Sequence, residues 1–441
     1  MRSHEYSSVN LNNLDQQIVC DTIVILLMDV PGKVGWPIVG DKSLEFYRDP
    51  LQFLNKNVNQ ARSSIFKTRF LNKPTVFVCS NQGVRDVLNC TGESLDFGYE
   101  AFMKGMFGHN ILFSKNGEAE LFRQFLSNLF TNHCLEEYES VIKCIITKHV
   151  GNLKSAGESI CLYKFFKVLF SDVCLTLFLG LDSTENGEQA RSVMSLTTDH
   201  WRGIVAVPLD LRLVNPSSTY SKALQAKSNL LEMINTHKKR AKSGFPLKMK
   251  ETCDLDGSVV NNHLLLFTSA LLPKVFASIC TSVCAEIGKV ETSHYQERAR
   301  CEDIWLDYLL KETMRLCPPL LGGRRLATKS CVIAGYNVPQ DYTLVYMTHP
   351  AQRDPGVFED PHQFKPERWA QRPDLKDKLY VYGFGSRCCI GERLSSLILE
   401  STLRSLFNKY VVQVCADQDF SHKYLPVLRP KNSLLVHLEA V

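Results

Sequence analysis

The sequence predicts a mainly α-helical fold with a minor β part. Apolar residues recur at helical spacing over residues 117–180 and 219–243, and again in "DIWLDYLLKETMRLCPP" and "GERLSSLILESTLRSLFNKY". Alternating runs rich in Val, Phe and Thr are short and few. No Ser/Gly linker, low-complexity tract or internal repeat divides the 441 residues, so one large core is expected.

In chain order, residues 1–30 read as an extension without a full membrane anchor. Their apolar run, "IVILLM" (Ile23 to Met28), lies between Asp21 and Asp29 and is far shorter than the ~20 residues a span needs. The basic start and longer apolar stretch of a signal peptide are absent. A second unit, residues 31–441, opens on the stiff "PGKVGWPIVG". "SIFKTRFLNKPTVFVCS" (Ser64 to Ser80) predicts two strands about an Asn-Lys-Pro turn, then a helix over Gln82–Leu88. The basic "HKKRAKSG" closes the helical run over 219–243. Ser258 to Gly288 reads as one long apolar helix that Pro273 breaks or kinks. An amphipathic helix from Asp303 is stopped by Pro318 and Pro319. "CVIAGYNVP" and "TLVYMTH" supply short strands.

Composition narrows the function. With 44% hydrophobic and 22% charged residues, the chain is globular. Its net charge of +5 comes without a dense Lys/Arg run interleaved with aromatics, which argues against a nucleic-acid binder. The sixteen cysteines are scattered and no CxxC pair repeats at zinc-ribbon spacing, so reduced thiols in a cytosol-facing protein are expected.

Two cysteines stand side by side in "YGFGSRCCIGERL" (Tyr382 to Leu394). Adjacent cysteines do not readily close a disulfide with each other. A zinc site needs further ligands, and His362 and His422 lack matching spacing. What remains is one functional thiolate beside a packing neighbour. Cys389 precedes a predicted helix, whose positive end and free N–H groups favour a thiolate. Gly383, Gly385 and Gly391 allow close approach of a flat, bulky group, and Arg387 offers a cation.

The stretch Tyr382 to Gly391 resembles the haem-binding loop of the cytochrome P450 family, F-G-x-G-x-R-x-C-x-G, with Tyr382 where phenylalanine is usual. The resemblance puts Cys389 at the axial ligand of haem b iron, Cys388 at a variable position, and Arg387 near a haem propionate. "KETMR" resembles the family's E-x-x-R through Glu312 and Arg315, one helical turn apart. "FKPERW" resembles F-x-P-E-R-F, so Arg368 is expected to complete a Glu-Arg-Arg network. Arg325 in "PPLLGGRRLA" matches a second propionate partner. Arg123 stands one residue from the position of a third.

The resemblance spans about residues 31–440 and is nearest the branch containing retinoic acid hydroxylases. It implies monooxygenation of a lipophilic, retinoid- or sterol-like molecule. Electrons are expected from NADPH–cytochrome P450 reductase or a similar donor docking on the proximal side, the mild positive charge fitting an acidic partner. Location at the endoplasmic reticulum membrane, facing the cytosol, follows from the same likeness. Expected pocket residues are Phe97, Tyr99, Phe102, Ala270, Leu271 and Leu321. "WRGIVAVPLDL" (Trp201 to Leu211) is expected to be an apolar entry loop touching the membrane.

Besides the missing anchor, two departures stand out. Where the family places an acid and an alcohol to relay protons, this chain has Leu271 and Leu272, then Pro273; Thr268 and Ser269, about one turn upstream, are the remaining candidates to hold a water. And Glu312 follows Leu272 by only 40 positions, fewer than is usual. The lost relay leaves two rival readings open: a haem-thiolate isomerase or dehydratase of a lipid hydroperoxide, and a haem-binding protein without turnover.

Overall fold

The computed structural model describes residues 28–153, 159–182, 187–204, 217–241, 243–252 and 255–441. Ile23 to Leu27 of the N-terminal apolar run, Lys242 and residues 205–211 of the apolar loop lie outside the described residues.

The chain enters through Met28–Asp29 (β1), Ser43–Arg48 (α1) and Pro50–Ala61 (α2). The hairpin Ile65–Phe70 (β2) and Lys73–Val78 (β3) follows. Its turn is Leu71-Asn72, both at positive φ, 50° and 54°. That is two residues that suit a hairpin's twist, one position earlier than the Asn-Lys-Pro turn read from the sequence. Pro74 instead sits in β3 opposite Arg69, while pairing on the strand's other edge begins only at Thr75. Its missing N–H therefore costs no ladder bond. Phe46, Phe53, Phe66, Phe70 and Phe77 close an aromatic cluster between these helices and the hairpin.

Next come Asn81–Asn89 (α3), capped by Ser80 Oγ, which accepts from Gly83 N at 3.2 Å, and then Leu95–Phe97 (β4) and Glu100–Phe107 (α4). The main helical layer follows: Asn116–Ser127 (α5), Asn132–Gly151 (α6), the short strand Ile160–Cys161 (β5), Leu162–Leu179 (α7), Gly187–Ile204 (α8), Thr219–Arg240 (α9) and Gly244–Thr252 (α10).

The long helix expected over Ser258–Gly288 is two helices, Gly257–Thr268 (α11) and Leu271–Ile287 (α12). Ser269 leaves the helix (ψ 145°). The reason is local. A proline ring excludes the helical carbonyl four residues earlier, and for Pro273 that residue is Ser269. Pro273 itself becomes the third residue of α12, where an N–H would have had no intrahelical acceptor. The span Gly257–Ile287 is apolar enough to cross a membrane (mean hydropathy 1.7), but most of its apolar side chains are buried in the core, α12 packing along α7.

The chain continues through His294–Cys301 (α13), Asp303–Leu316 (α14), Gly322–Ala327 (β6), Cys331–Ile333 (β7), Tyr336–Val338 (β8), Thr343–Met347 (β9), Thr348–Ala351 (α15), Arg368–Gln371 (α16) and Glu392–Phe407 (α17). It ends with Tyr410–Val414 (β10), His422–Lys423 (β11), Arg429–Pro430 (β12) and Leu435–Ala440 (β13). A five-stranded sheet runs β2-β3-β9-β6-β4, with smaller sheets β1-β8-β7, β10-β13-β5 and β11-β12. The main core lies among α5–α7, α11, α12, α14 and α17. The result is mainly α with a minor β part, as the sequence predicts.

Candidate active site

The Cys389 loop is a backbone-tied turn. Gly383 N donates to Tyr380 O (3.0 Å), Cys388 N to Gly385 O (3.1 Å) and Cys389 N to Tyr382 O (2.7 Å). Gly383 (φ +79°) and Gly385 (φ +71°) take the left-handed conformations this path requires. Gly391 is different. It has an ordinary φ of −93°, yet a Cβ built there would meet nothing within 4 Å. Neither the backbone nor a protein neighbour requires glycine there; the space beside it is open.

Cys389 Sγ sits deep among protein atoms yet faces accessible space. Burial pushes its thiol up, and the Gly391 N–H opposes that. A sulfur that is desolvated, helped by a backbone donor and still reachable is suited to a cation that takes the proton's place. Cys388 Sγ accepts from Arg123 Nη2 at 3.7 Å. Among the described residues no three His, Cys, Asp or Glu converge as a metal-holding group, and neither His362 nor His422 joins Cys389.

Beside the loop lies an excess of cationic groups. Arg325 is 3% exposed; its Nε donates to Thr91 Oγ1 (2.9 Å) and its guanidinium stacks on Phe97, 4.3 Å from the ring centroid. Ser386 Oγ donates to Thr91 O (3.3 Å), tying the loop to the same residue. Arg387 Nη1 is buried with no hydrogen-bond partner. Burial, then the neighbouring Arg123, hold its guanidinium below the ordinary value. A buried unpartnered guanidinium N–H costs stability unless an anion completes it. The donor set fits a haem: Cys389 would supply the thiolate and Arg387, Arg325 and Arg123 would be the cations available to its carboxylates. Thr91 belongs to no motif, and the sequence carried no signal for it.

Glu312, Arg315 and Arg368 form one buried network. Glu312 and Arg315 are fully buried, and Arg368 is 6% exposed. Glu312 Oε1 accepts from Arg315 Nη2 (2.8 Å), Arg368 Nε (3.1 Å) and Lys365 N (2.9 Å). Its Oε2 accepts from Arg315 Nε (3.0 Å) and Trp369 Nε1 (3.1 Å). Trp369 is a partner the motif reading missed; "FKPERW" ends on an indole that donates to the same carboxylate. The network ties α14 to α16.

The other candidates fall differently. Thr268 Oγ1 donates back to Leu264 O (2.8 Å), so its proton is committed to the helix. Ser269, 1% exposed at the break, accepts from Leu271 N (3.4 Å) and donates to none of the described residues. Of the two hydroxyls, only that of Ser269 keeps its proton uncommitted among the described residues. Ala270 and Leu271 pack with Trp201 and Val427. Phe97 lies in β4 against Arg325, at the arginine edge of the site. Tyr99 caps α4, and burial pushes its phenol up to about 12. Phe102 lies in α4, its side chain outside those described. Leu321 corrects an expectation: its side chain packs into the aromatic cluster of Phe46 and Phe77. On the outer face of the loop, a groove is lined by Asp307, Asp377, Glu392 and Glu400 against Lys311 and Lys376. The chain's net positive charge is not concentrated there, so it lends no local support to an acidic partner.

The sequence model described as "Cytochrome P450" matches residues 30–255 and 273–438. The unmatched interval, residues 256–272, ends just before Pro273 and covers the helix break. Taxane 13-alpha-hydroxylase of Taxus cuspidata is 23% identical over 453 residues, covering 92% of this chain and 91% of that protein. Cytochrome P450 26A1 of Xenopus laevis is 21% identical over 429 residues, 88% of this chain and 84% of that protein. The solved structure of retinoic acid bound cyanobacterial CYP120A1 matches with a TM-score of 0.82 at 21% identity, over 94% of this chain and all of that one.

Proposed function

Because the chain belongs to the cytochrome P450 family, whose members are haem-thiolate monooxygenases, we propose that it hydroxylates a lipophilic, retinoid- or sterol-like small molecule. Bound haem supplies the reduction of dioxygen and transfer of one oxygen atom. The observation that carries the reading at residue level is the pairing of a reachable, backbone-supported Cys389 with a buried, unpartnered Arg387 Nη1. In this reading Cys389 is the axial thiolate, Arg387, Arg325 and Arg123 hold the propionates, and the Glu312 network braces the loop. Ser269 holds a water that hands on protons, with Ala270 and Leu271 shaping the apolar roof. The relative named taxane 13-alpha-hydroxylase and the retinoic-acid-bound structure support a bulky hydrophobic substrate.

Electrons come from a reductase flavoprotein docking on the outer face of the Cys389 loop. The protein faces the cytosol and rests on the endoplasmic reticulum membrane through its entry turn. Trp36, Ile38 and Val39 are 82, 80 and 91% exposed, a cluster of apolar tips that suits a lipid interface. The turn is held out by Ile38 N donating to Asn72 Oδ1 (3.0 Å) and Arg69 Nε donating to Gly35 O (3.2 Å). The replacement of the relay by Leu271-Leu272-Pro273 favours a second reading, isomerisation of a lipid hydroperoxide, which needs no proton relay. One experiment separates the two. Haem-loaded protein is given retinoic acid, a sterol and a fatty-acid hydroperoxide, each with and without reductase and NADPH. Hydroxylated product that depends on NADPH supports the proposal; rearranged hydroperoxide formed without reductant replaces it.

A further inference from the structure

We propose that Lys274 anchors the negatively charged head group of the lipophilic substrate, which is therefore a carboxylic acid. The inference rests on the reading above and narrows its substrate class. Lys274 is the fourth residue of α12, two positions beyond Leu272. Its Nζ lies 5.1 Å from the centroid of the Trp201 ring on α8. Trp201 in turn packs with Ala270 and Val427, flanked by Ile204, Leu271 and Val275. This small apolar cluster touches the main core through Ile204 and Val275. It joins the ammonium directly to the stretch that shapes the proposed roof.

The charge is uncompensated. Among the described residues no Asp or Glu lies within ion-pair reach of Lys274. The charged groups it feels are Lys167 of α7, Arg429 of β12 and Arg202 of α8, all cations. Arg202 is already paired with Asp199 (2.9 Å). Arg429 Nη1 donates to the Leu425 and Val427 carbonyls (3.2 and 3.3 Å) and meets no carboxylate. Lys167 has no acidic partner among the described residues. Burial, and then these cations, lower the Lys274 pKa to about 8, so it is still charged at neutral pH.

Gathering cations from three elements around one half-buried ammonium is costly unless an anion joins them. The Trp201 ring face supports the ammonium from one side, but it carries no net charge to balance it. A sterol hydroxyl does not supply that charge either; a carboxylate does. A lipophilic acid satisfies both halves of the site, head on Lys274 and chain along Trp201, Val427 and Ala270.

The test measures binding, not turnover. Haem-loaded protein is titrated by equilibrium dialysis with all-trans-retinoic acid, palmitic acid and the methyl ester of each. At least one acid is expected to bind ~10-fold or more tighter than its ester, the scale of a partly desolvated ion pair. Lys274→Met should bring that acid to the level of its ester and leave the ester unchanged. Lys274→Arg should keep the preference, and its behaviour stands in if the Met variant does not fold. Acids and esters binding equally to the unmodified protein, or a preference that survives Lys274→Met, overturns the anchor while leaving the lipophilic-substrate reading intact. Failure of every acid and ester to bind overturns both.

Discussion

Arg315→Lys keeps the charge of the buried network and removes its geometry, which makes it the sharper perturbation. Arg315 uses all five of its N–H donors. Two go to Glu312, at 3.0 and 2.8 Å. Three go to the carbonyls of Gln352, Pro361 and Gln363, at 3.0, 2.7 and 3.0 Å. A lysine ammonium has three donors radiating from one point. Serving Glu312 and one carbonyl leaves at least two buried carbonyl contacts unmet, each costing about 1–3 kcal/mol. The variant should lose about 2–6 kcal/mol, a large share of the roughly 5–15 kcal/mol that holds a typical domain together. Arg315→Ala should be worse, but not by stranding Glu312. Arg368 Nε, Trp369 Nε1 and Lys365 N still reach that carboxylate. The added loss comes from the third carbonyl and the void. Urea unfolding of the haem-loaded protein, followed by helical circular dichroism and the haem band, measures both. An Arg315→Lys midpoint equal to that of the unmodified protein would refute the reasoning.

Three further outcomes are expected. Arg387→Met removes the unpartnered guanidinium and should speed haem loss to apomyoglobin by roughly tenfold, as for one charge-assisted contact; an unchanged rate removes Arg387 from the propionate site. Ser269→Ala should lower product formed per NADPH and raise hydrogen peroxide release by more than Thr268→Ala does, while Leu272→Thr should improve coupling. A positioned relay is worth about 10²–10⁴-fold, and equal effects of the two alanines would show that the helix break does not decide which hydroxyl serves. Trp36 is 82% exposed, whereas Trp201, Trp305 and Trp369 are 6, 5 and 3% exposed. A blue shift of tryptophan emission on adding phosphatidylserine-containing vesicles therefore reports the entry turn. Its persistence in Trp36→Phe would place the membrane contact elsewhere.

What the sequence disclosed follows from where the chemistry is local. Helical spacing, the proline stops at Pro318 and Pro319, and the motifs around Glu312, Arg368 and Cys389 all act over a few residues, and the structure brings each group together. The misses are long-range or conformational. Leu321 precedes a site strand, yet its side chain packs into the aromatic cluster, because the pleat sends neighbours to opposite faces. Thr91 reaches Arg325 only through the fold. Pro273 reads as a breaker and its ring places the break at Ser269, but which hydroxyl stays bonded to the helix, Thr268 rather than Ser269, is a matter of conformation. Lys274 belongs to no motif; its setting comes from α7, α8 and β12 meeting at the start of α12.

The account turns on which of two adjacent cysteines carries the iron. The decisive measurement is the absorption spectrum of the reduced carbonyl complex in the unmodified protein, Cys388→Ser and Cys389→Ser, each loaded with haem. A thiolate ligand gives a far red-shifted Soret band that no neutral ligand gives. The band should be present in the unmodified protein and in Cys388→Ser and absent from Cys389→Ser. Its loss in Cys388→Ser, or its survival in Cys389→Ser, would contradict the assignment of the site.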